Sequence, residues 1–440
     1  MKKILLPIAL IAFYIGYSQT KTVHVKFTNQ PIKVDGVLNE VIWSEAEPAT
    51  NFWEHFPTDS LQAKQQAEIK MLFDDRNLYV GIKVNSANDQ YVVPSLRRDF
   101  RASGNDNISL LFDTFNDGTN AFFFGTNPFG VLREALISGG GAEVSGFDTS
   151  WDTKWVGETI MHDTYYIVEW MIPLSAFKYR EGETKWRFNS YHFDTKDNER
   201  NTWMNIPQNQ PIFSLAYMGD MIFERPLGNS KTPISIIPYV NALVGKNYET
   251  DKSTSDFKFG GDAKMTIGNS LNLDLTVNPD FSQVEVDQQV TNLTRFEISL
   301  PERRQFFIEN SDLFSNFGDN RDSNPFFSRR IGLNTDIDFG ARLSGRINKN
   351  WRMGLMDIKT SANDAINLAS QNFTVMALQR KLFKKSSIEL FYIDRTALEF
   401  SGKTNEAGGC NCVYQHDGNA FNRNIGFEYY LAPPNNTFSG

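Results

Sequence analysis

Carboxylates are the residue type here with the broadest chemical reach. Glu134, Asp148, Asp152 and Glu169 fall within one stretch, and glycoside hydrolysis needs two carboxyl groups facing each other across a cleft. Their spacing defines no such pair, because acids scattered along strands are ordinarily solvated. The sequence contains no G-x-S-x-G elbow, H-E-x-x-H pair or P-loop. The five histidines, His24, His55, His162, His192 and His416, lie too far apart for a recognisable ligand set. Asp113, Asp117, Asp148 and Asp152, helped by loop carbonyls, could hold Ca²⁺, which takes about six to eight oxygens. The segment from Asp113 to Asp117 lacks the EF-hand layout, and turn formation accounts for the same residues. Ca²⁺ is the one cofactor the sequence raises. Cys410 and Cys412 are one residue apart, which would strain a disulfide, and two thiols do not make a structural zinc site.

These residues must be positioned by strands. From residue 232 onward apolar and polar residues alternate. Phe257, Phe259, Ala263, Met265 and Ile267 oppose Asp256, Lys258, Asp262, Lys264 and Thr266. Leu271, Leu273, Leu275 and Val277 oppose Asn272, Asp274, Thr276 and Asn278. Ile337, Phe339, Ala341, Leu343 and Ile347 oppose Asp336, Asp338, Arg342, Ser344 and Arg346, and weaker repeats span 351–360, 371–383, 387–394 and 421–431. A period of two marks a strand with one apolar face, and charges on the other face suit lipid outside and a watery lumen inside. A soluble sandwich also alternates. Connections discriminate, with long ones expected at 245–255, 279–334, 361–370 and 396–420 and short ones at 268–270, 348–350 and 384–386. That alternation is the pattern of an outer-membrane barrel, and it puts the preceding residues on the short-turn, periplasmic side. The eight countable strands stop at Gly440 without a closing strand, so an incomplete barrel is expected, with a closed eight-stranded barrel as the alternative.

Residues 19–230 carry many short strands between turn residues, the pattern of a β-sandwich. Strands are expected at 22–27, 68–73, 78–84, 107–113, 121–126, 131–136, 154–159, 165–170, 185–193 and 212–223, with one helical turn at 173–177. The overall expectation is all-β: a residue 19–230 sandwich followed by antiparallel barrel strands over 231–440, with a long insert at 279–334. Lys2 and Lys3, an apolar run from Ile4 to Tyr14, and small Gly16 and Ser18 make residues 1–18 a secretory signal peptide. That run is shorter than the about 20 apolar residues a spanning helix needs. The net charge of −8 argues against nucleic acid, because phosphate binding needs a basic face.

Four blocks carry a family resemblance. Ile32-Lys33-Val34-Asp35-Gly36-Val37-Leu38-Asn39-Glu40-Val41-Ile42-Trp43 resembles the opening of family-9 carbohydrate-binding modules. Asp74-Asp75-Arg76-Asn77-Leu78-Tyr79-Val80-Gly81, Asp106-Asn107-Ile108-Ser109-Leu110-Leu111-Phe112-Asp113 and Tyr166-Ile167-Val168-Glu169-Trp170-Met171-Ile172-Pro173 follow in order. Farther on, Asn278-Pro279-Asp280-Phe281-Ser282-Gln283-Val284-Glu285 and Pro301-Glu302-Arg303-Arg304-Gln305-Phe306-Phe307-Ile308-Glu309 resemble Gram-negative barrel proteins that carry this module in front. The resemblance implies glycan binding, often of plant-type polysaccharide, and attachment to hydrolases.

Sugar rings present apolar C–H faces that stack on aromatic planes, and their hydroxyls need fixed polar partners. Candidate platforms are Trp53, Trp151, Trp155 and Trp203. Candidate partners are Arg133, Glu134, Asn189, His192 and Arg200. Trp43 and Trp170 sit in apolar strands and are expected in the core. If Trp151 and Trp155 share a strand they share a face, which serves packing or binding. The insert, with Glu285, Asp287, Arg295, Glu297, Glu302, Arg303, Arg304 and Glu309, reads either as a charged constriction in the lumen or as an outer cap. Three functions follow: a periplasmic sugar-binding module serving an outer-membrane barrel in carbohydrate uptake or catabolism; a hydrolase acting on O-glycosyl bonds, or its accessory; and a structural or secretion-linked barrel whose sandwich binds protein. The partners expected under the first are a glycan and outer-membrane lipid.

Overall fold

The computed structural model describes residues 21–431 apart from 88–89, 143–145, 150, 229–233, 248–251, 269, 280–301, 316, 318–324, 334, 364–367, 383–385 and 399–420. Residues 1–18, Cys410, Cys412, Glu285, Asp287, Arg295 and Glu297 therefore lie outside the described residues.

Fourteen strands form the first half. They are β1 (Thr22–Phe27), β2 (Pro48–Ala49), β3 (Trp53–Phe56), β4 (Ala67–Phe73), β5 (Asn77–Asn85), β6 (Asn107–Asp113), β7 (Ala121–Thr126), β8 (Leu132–Ile137), β9 (Phe147–Asp148), β10 (Val156–Met161), β11 (Tyr165–Pro173), β12 (Lys185–Asp194), β13 (Glu199–Thr202) and β14 (Gly219–Phe223). A short helix α1 (Val41–Glu45) buries Ile42 and Trp43 against the first layer. That layer runs β10-β11-β5-β4-β1, with β2 on β4; the second runs β14-β12-β6-β7-β8-β9, with β13 on β12 and β3 on β13. β1 joins the layers. Thr22–Val25 pair in parallel with β14, and Lys26 and Phe27 with β4.

The two layers enclose one apolar core. It includes Val80, Ile82, Val168 and Trp170 from the first layer and Ile108, Leu110, Phe112, Phe124, Trp186 and Phe188 from the second. Aromatic edges fill it: Phe112 meets Phe177 at 5.6 Å and Trp155 meets Trp170 at 5.2 Å, both edge-to-face. The expected strand over 212–223 is confined to Gly219–Phe223, and residues 211–217 turn across the outer face of the second layer, where Leu215 and Phe213 cover it. The strand expected from residue 154 starts at Val156.

The second half is an eight-stranded antiparallel sheet: β15 (Ser235–Asn247), β16 (Lys252–Ile267), β17 (Leu271–Val277), β18 (Ile337–Arg346), β19 (Trp351–Thr360), β20 (Gln371–Leu382), β21 (Ser386–Ala397) and β22 (Phe421–Tyr430). The strands pair in sequence order, with no β22–β15 pairing among the described residues. The long connection expected over 245–255 is instead strand: the β15–β16 ladder runs to Asn247 and Lys252, leaving only 248–251 between.

Burial in this sheet is inverted relative to a soluble sandwich. Along β17, Asn272, Asp274 and Thr276 are buried while Leu275 and Val277 are exposed. Val244, Phe257, Phe259, Leu390, Ile425 and Phe427 also face outward. The insert covers the other face. Its helices α2 (Gln305–Ile308) and α3 (Asp312–Ser315) pack Phe307, Leu313, Phe314 and Phe317 on Met356, Ile358, Val375, Ala377 and Phe391. Gly354 admits α3, since a Cβ there would lie 2.7 Å from the Phe314 ring. Arg352 reaches Asp312 through two hydrogen bonds, at 2.6 and 3.0 Å, and Arg342 donates to the Phe306 carbonyl at 2.6 Å.

Removing one partner of a buried ion pair costs about 3–5 kcal/mol. The variant Asp312→Ala is therefore expected to loosen α2 and α3, so that trypsin cuts at Arg303 and Arg304 at least tenfold faster than in the parent. Equal cleavage rates would show that the pair does not hold the insert.

Candidate functional site

Adjacent residues on a strand point to opposite faces, and this rule divides the candidate polar set. On the second layer, Arg133 lies on the outer face beside Tyr191, and its Nη1 donates to the Tyr191 hydroxyl at 3.3 Å. The guanidinium sits among the rings of Phe100, Phe123 and Phe147, 4.8–5.5 Å from their centres. Glu134 points the other way, into the sandwich. It accepts from Arg98 Nη2 at 2.6 Å and from Trp155 Nε1 at 3.2 Å. Burial, more than the nearby Asp152, raises its pKa to about 7.

Asn189 lies on the outer face and is fully engaged: its amide donates to the Tyr217 carbonyl, and its oxygen accepts from Ser190 and Met204 N–H. His192 faces inward with Asn201, its cross-strand partner. The pair lies between the layers near Tyr166, where His192, Tyr166 and Asp106 line a small cleft. His192 Nδ1 and the Tyr166 hydroxyl at the cleft, and both amide atoms of Asn201 beside it, make no hydrogen bond among the described residues. Burial pushes the His192 pKa down to about 4.

The tryptophans separate by burial. Trp151 (8% exposed), Trp155 (6%) and Trp203 (2%) belong to the core, as do Trp43 and Trp170. Trp151 and Trp155 precede β10 and do not share a strand; Trp151 packs on Phe122 and Phe124. Trp203 packs on Phe188 at 5.1 Å, and Gly219 leaves room for its ring. Of the four candidate platforms, Trp53 alone keeps a half-exposed side chain.

Trp53 begins the edge strand β3, paired with Thr202 of β13. Three residues on, Phe56 pairs with Arg200, whose guanidinium lies 5.1 Å from the Phe56 ring and 5.5 Å from the Phe193 ring. Phe56 is half-exposed and Arg200 exposed. This strip therefore offers two accessible aromatic planes and a cation with donors to spare. Sequence reading missed Phe56 because β3 is a four-residue edge strand with no alternation to detect.

The four aspartates do not assemble around an ion. Asp113 accepts from the N–H groups of Asp117 and Gly118, closing the β6–β7 turn, and Asp117 is paired with Arg346. Asp152 sits 3.8 Å from Arg98, and Asp148 belongs to β9. Among the described residues, no group of three His, Cys, Asp or Glu side chains is placed to hold a metal. Glu134 and Glu169 do not face each other either: Glu169 accepts from the N–H groups of Asp35 and Gly36 on the first layer.

A depressed histidine pKa stabilises the fold above the unfolded value and loses that contribution as pH falls through the folded one. For His192 the window runs from 6.5 down to about 4, worth about 3 kcal/mol when crossed completely. Urea unfolding of the parent should therefore weaken across this range, and His192→Gln should flatten the dependence. A variant with the parent's pH dependence would refute the assignment to His192.

Comparison with known proteins places both halves. Residues 34–221 match the family model described as carbohydrate family 9 binding domain-like, and residues 230–350 match a domain of unknown function, DUF5916. No curated protein matches the chain. Among solved structures, two similar chains are a family 9 carbohydrate-binding module from Caldicellulosiruptor kristjanssonii in complex with cellotriose (16% identity, 49% of this chain, 100% of that one, TM-score 0.34) and in complex with glucose (16%, 48%, 98%, 0.32). A third, from Bacteroides uniformis, is described as a candidate carbohydrate-binding protein (15%, 47%, 100%, 0.38). The chain thus carries a domain similar to family 9 carbohydrate-binding modules over residues 34–221, followed by a segment, 230–350, that matches the DUF5916 model.

Proposed function

We propose that the sandwich binds a glycan at the β3–β13 edge and that the eight-stranded sheet belongs to an outer-membrane barrel, so that the protein binds carbohydrate for uptake or catabolism at that membrane. The family 9 match over residues 34–221 carries the sugar reading, and the exposed strip of Trp53, Phe56 and Arg200 supplies the stacking planes and donors such a ligand requires. Inverted burial supports the membrane half: an apolar outward face with polar residues turned inward is what lipid demands.

Contacts at one end of the sheet support an orientation. The connections at 268–270, 347–350 and 383–385 are short, and the strand ends they join meet the sandwich. Lys178 donates to Thr266 at 3.1 Å, Lys381 donates to the Asp117 carbonyl at 2.6 Å, and Arg346 pairs with Asp117. The other end carries the longer connections 278–336, 361–370 and 398–420 together with the four-residue connection 248–251. Short turns face the periplasm in such barrels, so the sandwich is periplasmic.

Calorimetric titration with cellotriose and glucose, the sugars held by the solved modules, is a direct first test on the full chain. Trp53→Ala should weaken binding at least tenfold with stability changed by less than about 1 kcal/mol, as for a surface residue. Trp151→Ala should cost about 3–5 kcal/mol of stability, as for a core aromatic. Undiminished binding in Trp53→Ala would remove the edge from consideration, and failure to bind across a glycan array would remove sugar altogether. Protease added to intact cells should spare an epitope in residues 21–223 and cleave it once the outer membrane is permeabilised. Cleavage on intact cells would reverse the orientation.

A further inference from the structure

A second cleft lies where the sandwich, the sheet and the insert meet. It offers water about 80 Å³ of room and opens to solvent. The sandwich contributes the β6–β7 turn with Phe115 and Phe122, together with Trp151; the sheet contributes Ser270 and Arg346; the insert contributes Glu309 and Ser311.

Its wall carries three cations, Lys178, Arg346 and Arg352, and three carboxylates, Asp148, Glu309 and Asp312, which sum to zero charge. Most of these charges are already committed to one another or to neighbours. Arg352 is held by both oxygens of Asp312, Arg346 by Asp117, and Glu309 by Lys264 and Asn272. A charged ligand would have to displace these partners. A neutral ligand would not, because paired charges still offer spare donors and acceptors at their edges. Between the ion pairs stand the hydroxyls of Ser138, Ser270 and Ser311, each able to donate and accept, and the half-exposed rings of Phe115 and Phe122, with Arg346 over the Phe115 ring and Trp151 buried behind Phe122. Apolar ring surface interleaved with hydroxyls, without net charge, is complementary to a polyhydroxylated ring.

We propose that this junction cleft is a second binding site of the chain and that it takes a neutral oligosaccharide. The inference deepens the glycan reading given above and rests on it, but uses a different edge of the same layer. Trp53 lies on β3, and the cleft lies beside β7 and β8. Along the path β3-β13-β12-β6-β7-β8, five strand spacings separate the two, or roughly 24 Å. One sugar ring cannot occupy both. The cleft opens on the polar inner face of the sheet, so its occupant would stand at the short-turn end of whatever passage that face lines.

The test uses the full chain in detergent micelles, titrated with neutral trisaccharides of glucose, mannose and xylose and, as a charged control of equal length, trigalacturonate. Two binding events are expected for at least one neutral trisaccharide. Trp53→Ala should leave the junction event, and Ser311→Trp, which fills the cleft, should leave the edge event. The milder double variant Ser138→Ala with Ser270→Ala should retain the fold and weaken the junction event roughly tenfold, as for two lost hydrogen bonds.

A single event abolished by Trp53→Ala and untouched by both cleft variants overturns the proposal while sparing the edge site. A single event abolished by Ser311→Trp and untouched by Trp53→Ala supports the junction site and removes the edge site. Tighter junction binding of trigalacturonate than of every neutral trisaccharide overturns the ligand class, and no binding of any trisaccharide overturns both sites.

Discussion

Arg342, Arg346 and Arg352 are almost wholly buried on the inward face of one antiparallel sheet. A guanidinium does not lose its charge, and burying it without partners is prohibitive. The sheet alone does not provide enough partners. The insert brings Asp312 and the Phe306 carbonyl, and the sandwich brings Asp117. The arrangement of sheet, insert and sandwich is thus dictated by where three positive charges must be neutralised. Around them the apolar part of the insert settles onto Met356, Ile358 and Phe391, as ordinary core packing would have it.

The same strand rule acts in opposite senses in the two halves. In the sandwich, consecutive residues alternate between an apolar interior and an outer face, so Arg133 and Glu134 cannot serve one site although they are neighbours in sequence. In the sheet, β17 turns its polar set inward and its apolar set outward, while β19 to β21 turn Met356, Ile358, Val375 and Phe391 inward beneath the insert. The same pleat therefore yields an apolar interior in one half and, along β17, a polar one in the other.

Much of this was legible in the sequence. Alternation over 256–277 and 336–347 located β16 to β18 and separated their two faces, because a period of two is a direct image of pleated backbone, except at Ile337, which a register shift before Phe339 turns inward onto the insert. The strands carrying the family 9 blocks were legible for the same reason. What escaped depended on contacts distant in sequence. Trp151 and Trp155 read as possible platforms, but Phe122, Phe124 and Trp170 come from elsewhere to bury them. Asp113 and Asp117 read as an ion site, yet a turn and Arg346 claim them. The strip of Trp53, Phe56 and Arg200 was half visible, since an edge strand of four residues has too few positions to show a pattern.

β1 is hydrogen-bonded in parallel to β14 at one end and to β4 at the other. Its partners thus lie about two hundred residues and about fifty residues away along the chain. Parallel pairing across such separations incurs loop-closure entropy before any contact repays it. Synthesis delivers the chain from its beginning, so β1 must wait with an unsatisfied edge until residue 223 has emerged. During that interval it is a bare strand open to pairing with another chain. The layout that lets one strand stitch both layers together therefore makes the newly made module dependent on protection until its last strand arrives.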